Sequence, residues 1–458
     1  MAGSEPFPLL NTANDQFSTS QDANGSAARR RRKSSALGGE LPGDTGAPSL
    51  GTSFAHMNAL NGHQARKSDS RDGLAGTSKP KRRKARGLAQ KITNFAFKHT
   101  WVLPAVLIFI ILGLYAINPT ESNPVHRFIF LSYELPLPAD ASPDTPVHYG
   151  KGKWDIAFFS FYIIVLSFTR EFIMQELLRP LARYAGLKSR GKQARFMEQM
   201  YTAIYFGCTG PWGMYVMSRT PVWYFNTAGM YDGFPHKTHE AIFKFYYLFQ
   251  AAYWAQQAIV LVLGMEKPRK DYKELVGHHI VSLALIGLSY RFHFTHIGLA
   301  VYITHDISDF FLATSKSLNY VDSCIVGPYM MFFMCSWIYL RHYLNLRILW
   351  SLFTEFRTIG PFELNWETEQ YKCWISQYIT ITLLSALQAL NLFWLFFILR
   401  IAYRYVAFNV AEDERSDGED ELDDIIEEDE KAPLVANEKS KANGHAANGK
   451  SNGSTKKK

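Results

Sequence analysis

LVGHHIVSLALIGLSYRFHFTHIGLAVYITHDISDFFLATSKSLNY, residues 275–320, consists of two apolar runs joined by a short polar turn. Polar groups stand where a membrane helix favours leucine. His278 and His279 lie near the start of the first run, and His305, Asp306, Ser308 and Asp309 lie in the middle of the second. An ionisable group at the centre of a spanning helix costs about 2.5–3.5 kcal/mol on insertion scales, so such residues point to a functional site. The stretch predicts a helical hairpin with its tip near Arg291–Thr295.

The rest of the chain reads as the machinery that sets this hairpin in a bilayer. Mean hydropathy is close to neutral, but polar tails dilute a middle rich in Leu, Ile, Phe, Tyr and Trp. The aromatic content of 15% is concentrated near the ends of apolar runs, where Trp and Tyr serve as interfacial anchors. Length and apolar content predict an all-α polytopic membrane protein with about eight spans, near 101–117, 154–177, 198–217, 241–263, 275–290, 296–314, 324–345 and 372–401. The first 100 residues, with basic clusters at Arg29–Lys33 and Lys79–Arg86, lack a compact core and are expected to be disordered. So is the acidic segment from residue 410 to the end. The basic clusters read as topological anchors on anionic lipid rather than nucleic-acid contacts. The first apolar run begins only at Trp101, so no signal peptide is expected.

Six Lys and Arg in 178–195 and four in 264–274 outweigh the three in 118–153 and the two in 218–240. The positive-inside rule then places both termini in the cytosol. The proline-rich loop 118–153 is expected to be extended and held mainly by its prolines. Cys208, Cys324, Cys335 and Cys373 form no CxxC pair and read as packing residues in helices.

With the hairpin centred on residue 293, position i lies level with about 586 − i, twice 293. His279 then falls opposite Ile307 and His278 opposite Ser308, which puts both histidines level with Asp306 and Asp309, on the cytosolic side. Asp306 and Asp309 are i, i+3 neighbours. His278 and His279 diverge by about 100°, so one of them faces the partner helix squarely. An imidazole beside a carboxylate in a dry site is a general base or a nucleophile. Two His and two Asp at one level exceed what packing requires. A single metal bound by His and Asp is the rival arrangement; the ligands at this level are too few for a di-iron site. His236, His239, His293 and His296 belong to the opposite end.

Together, His278-His279, Ser289-Tyr290, His305-Asp306-Ile307-Ser308-Asp309 and Lys316-Ser317-Leu318-Asn319-Tyr320 resemble the Lag motif of the ceramide synthases, members of the TLC-domain family. The resemblance places the first membrane helices and a luminal proline-rich loop in 101–191 and a TLC catalytic domain in 192–409. It implies transfer of a fatty acyl group from acyl-CoA, the co-substrate, to the amine of a sphingoid base in the endoplasmic reticulum membrane, with no metal or other cofactor. His278 and His279 would be the paired catalytic histidines, and Asp306 and Asp309 the essential acids. His305 fills a place where members vary between His and Met, which argues against a catalytic role. One histidine either accepts the acyl group or only removes the amine proton, and an aspartate either orients the imidazole or holds the ammonium. Lys267, Arg269, Lys270 and Lys273 either follow topology or meet CoA phosphates. The short 118–153 loop and long tails look fungal, and fungal members imply a small single-span accessory subunit and a paralogous or identical catalytic partner. A lipid-sensing or translocon-associated TLC-domain protein is the alternative. The intact HH and DxSD set favours the enzyme.

Overall fold

The computed structural model describes residues 99–137, 145–265 and 271–408, with Phe95 and Ser142 besides. Both expected disordered tails, their charge clusters, and Lys267, Arg269 and Lys270 lie outside the described residues. Those described are mostly helical. In chain order they form α1 (Val102–Ile117), the short α2 (His126–Ile129), α3 (Asp155–Phe172), α4 (Arg179–Tyr184), α5 (Arg190–Ser218), α6 (Ala241–Val262), α7 (Tyr272–Arg291), α8 (Thr295–Tyr320), α9 (Val326–Trp337), α10 (Asn345–Thr354) and α11 (Trp374–Phe408). Two stretches, Asp155–Tyr184 and Trp374–Ala407, are long and apolar enough to cross a membrane, and the shorter α1 is apolar throughout.

The hairpin forms as its sequence predicts, with α7 and α8 turning at Phe292–Phe294. π-helical turns, one residue wider than α and frequent at functional sites, join α3 to α4 over Ile173–Leu178 and α9 to α10 over Ile338–Leu344. The second makes a continuous rod that runs on to Thr354, past the expected end near 345.

Helix α5 begins at a Ser189 cap, whose Oγ accepts from the Lys192 N–H at 3.4 Å, and packs most extensively on α8. Gly207, Gly210 and Gly213 permit this approach. A Cβ at these positions would come within 3.2 Å of Phe310, 3.4 Å of Ile307 and 3.0 Å of Ile303, respectively. Small residues at such intervals let helix backbones meet closely where lipid offers no hydrophobic drive.

At the hairpin-tip end the 118–153 loop is not held by proline alone. Strand β1 (His148–Tyr149) pairs antiparallel with β2 (His239–Glu240), and two lysines, the buried Lys244 and the half-buried Lys151, pin the segment. Lys244 Nζ reaches Asp155 Oδ1 at 2.7 Å and donates to the carbonyls of Gly150 and Ser132 at 2.7 and 2.8 Å. Lys151 Nζ donates to the carbonyls of His236 (2.8 Å) and Tyr290 (3.2 Å) and lies 3.1 Å from His293 Nδ1. Sequence alone counted Lys151 as a loop charge; buried partners make it structural.

Burial holds the Lys151 ammonium well below the usual lysine range, at about 7. Burial, with Lys151 beside it, holds His293 down at about 3. In the unfolded chain Lys151 keeps its proton to about pH 10.4. Between pH 7 and pH 10 the unfolded state therefore binds more protons, and this lysine's contribution to stability rises with pH. Compared with Lys151→Met, the wild type is expected to gain up to about 1.4 kcal/mol per pH unit across that window, read as a widening gap in thermal midpoints between pH 7 and pH 9. A constant gap would contradict this.

Candidate active site

An apolar cavity of about 220 Å³ lies between α6, α7, α8 and α11. Trp254, His278 and His305 line one end, and Phe292, Phe294, Trp366 and Tyr371 line the other, near the hairpin tip. Ser282, Ser289, Ser376 and Thr380 add aliphatic hydroxyls to the lining, beside the phenols of Tyr247, Tyr302 and Tyr371. The cavity has the shape and chemistry to bury an alkyl chain with its reactive head at the imidazoles. Cys373 also lines it; this residue and Cys324 lie outside helices, while Cys208 and Cys335 are helical and exposed.

Of the paired histidines, His278 faces the cavity and His279 is not among its lining residues, as their divergence on one helix requires. His278 makes no hydrogen bond to a described residue, and its Nδ1 is buried without a partner. Two indoles hold its ring edge-on: Trp254 at 5.6 Å and 70°, and Trp394 at 5.2 Å and 81°. The His279 ring lies 5.8 Å from that of His278 and 5.9 Å from Trp254.

His305 also lines the cavity. Its imidazole is fully engaged. Arg341 Nη1 donates to Asn391 Oδ1 at 3.1 Å. A guanidinium only donates, so the Asn391 amide oxygen must face it and the amide nitrogen must face His305 Nε2, 3.2 Å away. His305 Nε2 is therefore the acceptor, and Nδ1 carries the proton and donates to the Val301 carbonyl at 2.9 Å.

The two carboxylates of α8 meet different neighbours. Asp309 takes Arg341 Nη2 at 2.5 Å. Asp306, wholly buried, accepts from Gln250 Nε2 and, at 3.5 Å, from Tyr246 OH. Neither carboxylate bonds to a histidine, so the expected imidazole–carboxylate pairing is replaced by two separate networks. Three helical positions set side chains about 60° apart around the axis, enough for one carboxylate to face α6 and the other the π turn.

Arg341 is the residue that sequence reasoning missed. It sits in the π turn at 2% exposure, lies 4.1 Å over the Trp337 ring, and donates from Nε to Ser308 Oγ at 2.6 Å and from Nη2 to the His305 carbonyl at 3.3 Å. The signal was present: a lone arginine inside an apolar run is as informative as the acids of α8. Among the described residues no group of three or more His, Cys, Asp or Glu is placed to hold a metal ion. His236, His239, His293 and His296 cluster at the hairpin tip; the His236 and His296 rings lie 3.6 Å apart.

A profile of the TLC domain matches residues 195–400. Among curated proteins, the chain is 56% identical over 321 residues to the sphingosine N-acyltransferase-like protein FUM17 of Gibberella moniliformis, which covers 70% of this chain and 83% of that protein. It is 50% identical over 333 residues to the sphingosine N-acyltransferase lac1 of Schizosaccharomyces pombe, across 73% of this chain and 85% of that one. It is 49% identical over 325 residues to the ceramide synthase LAG1 of Saccharomyces cerevisiae, across 70% and 77%.

Proposed function

Since the chain belongs to the TLC-domain family of fungal ceramide synthases, we propose that His278 carries its sphingosine N-acyltransferase chemistry through an acyl-imidazole. The enzyme transfers a fatty acyl group from acyl-CoA to the amine of a sphingoid base. One observation carries the assignment of the nucleophile. Of the two histidines that line the cavity, His305 has its Nε2 lone pair occupied by Asn391, whereas His278 has no hydrogen bond among the described residues.

In the first step a lone pair of His278 attacks the thioester carbon, the C–S bond breaks, and the thiol leaves with the proton released from the imidazole. The amine of the base, having given its ammonium proton to solvent or a neighbouring base, then attacks the acyl carbon. Its N–C bond forms as the bond to His278 breaks, and the imidazole returns to its neutral form. Direct attack of the amine, with His278 only removing its proton, is the alternative route. In this scheme Asp309 with Arg341 fixes the wall opposite His278, and Asp306 anchors α8 to α6. His279 stands behind the nucleophile.

Eight spans are proposed; the helical rods among the described residues that would form them are α1, α3–α4, α5, α6, α7, α8, α9–α10 and α11. With the basic loops cytosolic, the reacting end of the cavity faces the cytosolic half of an endoplasmic reticulum bilayer, where acyl-CoA arrives. The fatty chain then lies along the cavity toward the hairpin tip. A small single-span subunit and a second catalytic chain are proposed partners. Purified protein in detergent, given acyl-CoA and sphinganine, is expected to form dihydroceramide detectable by mass. No product with either sphinganine or phytosphingosine would overturn the reading.

A further inference from the structure

Among the described residues nothing hydrogen-bonds to His278, so within them its ring angle comes from packing. An imidazole's second torsion is broad, and edge-on contacts with two indoles restrict it only as far as the indoles are themselves fixed. Trp394, on α11, is fixed by one polar bond: its Nε1–H donates to Asp271 Oδ2 at 3.2 Å. Asp271 is 9% exposed and stands at the N-terminal boundary of α7. An aspartate there normally accepts a hydrogen bond from the first turn of its own helix, but this one makes no such cap. Its carboxylate instead crosses to α11. Leu275, between Asp271 and His278 on α7, packs in the same apolar cluster as Trp394.

We propose that Asp271 is a positioning residue that sets the angle of the His278 imidazole through Trp394. This rests on His278 being the acyl acceptor. The carboxylate touches no reacting atom. It holds an indole that would otherwise leave a buried N–H unpaired and settle elsewhere, and the indole then holds the imidazole. A merely structural tie between α7 and α11 would change stability, not the turnover of correctly folded enzyme.

The test uses the full chain in detergent, with Asp271→Ala, Asp271→Asn, Trp394→Phe and the Asp271→Ala/Trp394→Phe double variant. Asp271→Ala and Trp394→Phe are each expected to lower kcat about tenfold with the KM for acyl-CoA held within about twofold, the signature of lost orientation. Asp271→Asn keeps an oxygen acceptor and should stay within about threefold of wild type. In kcat the double variant should lose no more than Trp394→Phe alone, because the influence of Asp271 on His278 passes through the indole. Losses that multiply in the double variant, or an Asp271→Ala enzyme with intact kcat and only a lower thermal midpoint, overturn the proposal.

A second readout separates this from the function itself. Diethyl pyrocarbonate labelling of the His278 peptide, followed by mass, should be faster in Asp271→Ala than in wild type whatever reaction the protein catalyses. If the wild type forms no ceramide, the functional reading fails while the labelling still tests the orientation. If it forms ceramide and the labelling rates are equal, only the positioning role fails.

Discussion

Mixed with a long-chain acyl-CoA and no amine, the wild-type protein is expected to gain one acyl mass on the His278 peptide; His278→Ala should gain none and lose N-acylation by at least about 1,000-fold. The reasoning is chemical. A thioester needs a nucleophile with an available lone pair in a site that excludes water, and His278 meets that need, with no competing hydrogen bond among the described residues. His305→Ala should cost less, because its lone pair already serves Asn391. Intact mass under denaturing conditions, after brief incubation, decides between the two routes. Absence of an adduct in an enzyme that still turns over would favour direct attack with His278 as base. Full activity in His278→Ala with normal expression would remove the site assignment altogether.

Arg341→Met is expected to be strongly destabilising, by about 3 kcal/mol, because it strands the half-buried Asp309, whose side chain is 18% exposed, without its guanidinium partner. Activity should fall as well. Without the guanidinium, Asn391 is free to flip and His305 to change tautomer, and the wall of the cavity loses its definition. The double variant Arg341→Met/Asp309→Asn removes the stranded charge and should recover more than half of the lost stability. Thermal midpoints of detergent-solubilised protein measure this. If the double variant is as unstable as Arg341→Met alone, the damage comes from lost packing on Trp337 rather than from the uncompensated carboxylate.

Much of the hairpin was legible because insertion into lipid is so restrictive. Apolar runs, a polar turn and costly groups at matched depths leave few arrangements, and α7 and α8 turn within the range read from the sequence. Azimuth was not legible. Periodicity gives the angle between Asp306 and Asp309 but not which helices surround α8, so their separate partners on α6 and in the π turn could not be foreseen. Length and apolar content place the end of the seventh span near residue 345. In the structure Asn345 Nδ2 donates to Gln388 Oε1 at 2.7 Å, and Gln388 Nε2 lies 2.8 Å from His342 Nδ1. Once satisfied by α11, these groups let the helix continue to Thr354. Lys151 and Lys244 were hidden for the same reason: a lysine in a loop and one in a span look alike until the carbonyls that receive them are known.

The two carboxylates of α8 also carry a consequence for biosynthesis. Gln250 and Tyr246, which receive Asp306, lie on α6 and leave the ribosome before α8 does. Arg341, which receives Asp309, follows 32 residues later. In the proposed topology α8 thus enters the membrane with one acid provided for and the other waiting. At about 2.5–3.5 kcal/mol for an aspartate at mid-span, the second must stay near water or the insertion machinery until the π turn has been synthesised. The active site is then completed in an order that the chain's own direction imposes, with α8 settling into place only after its later neighbour arrives.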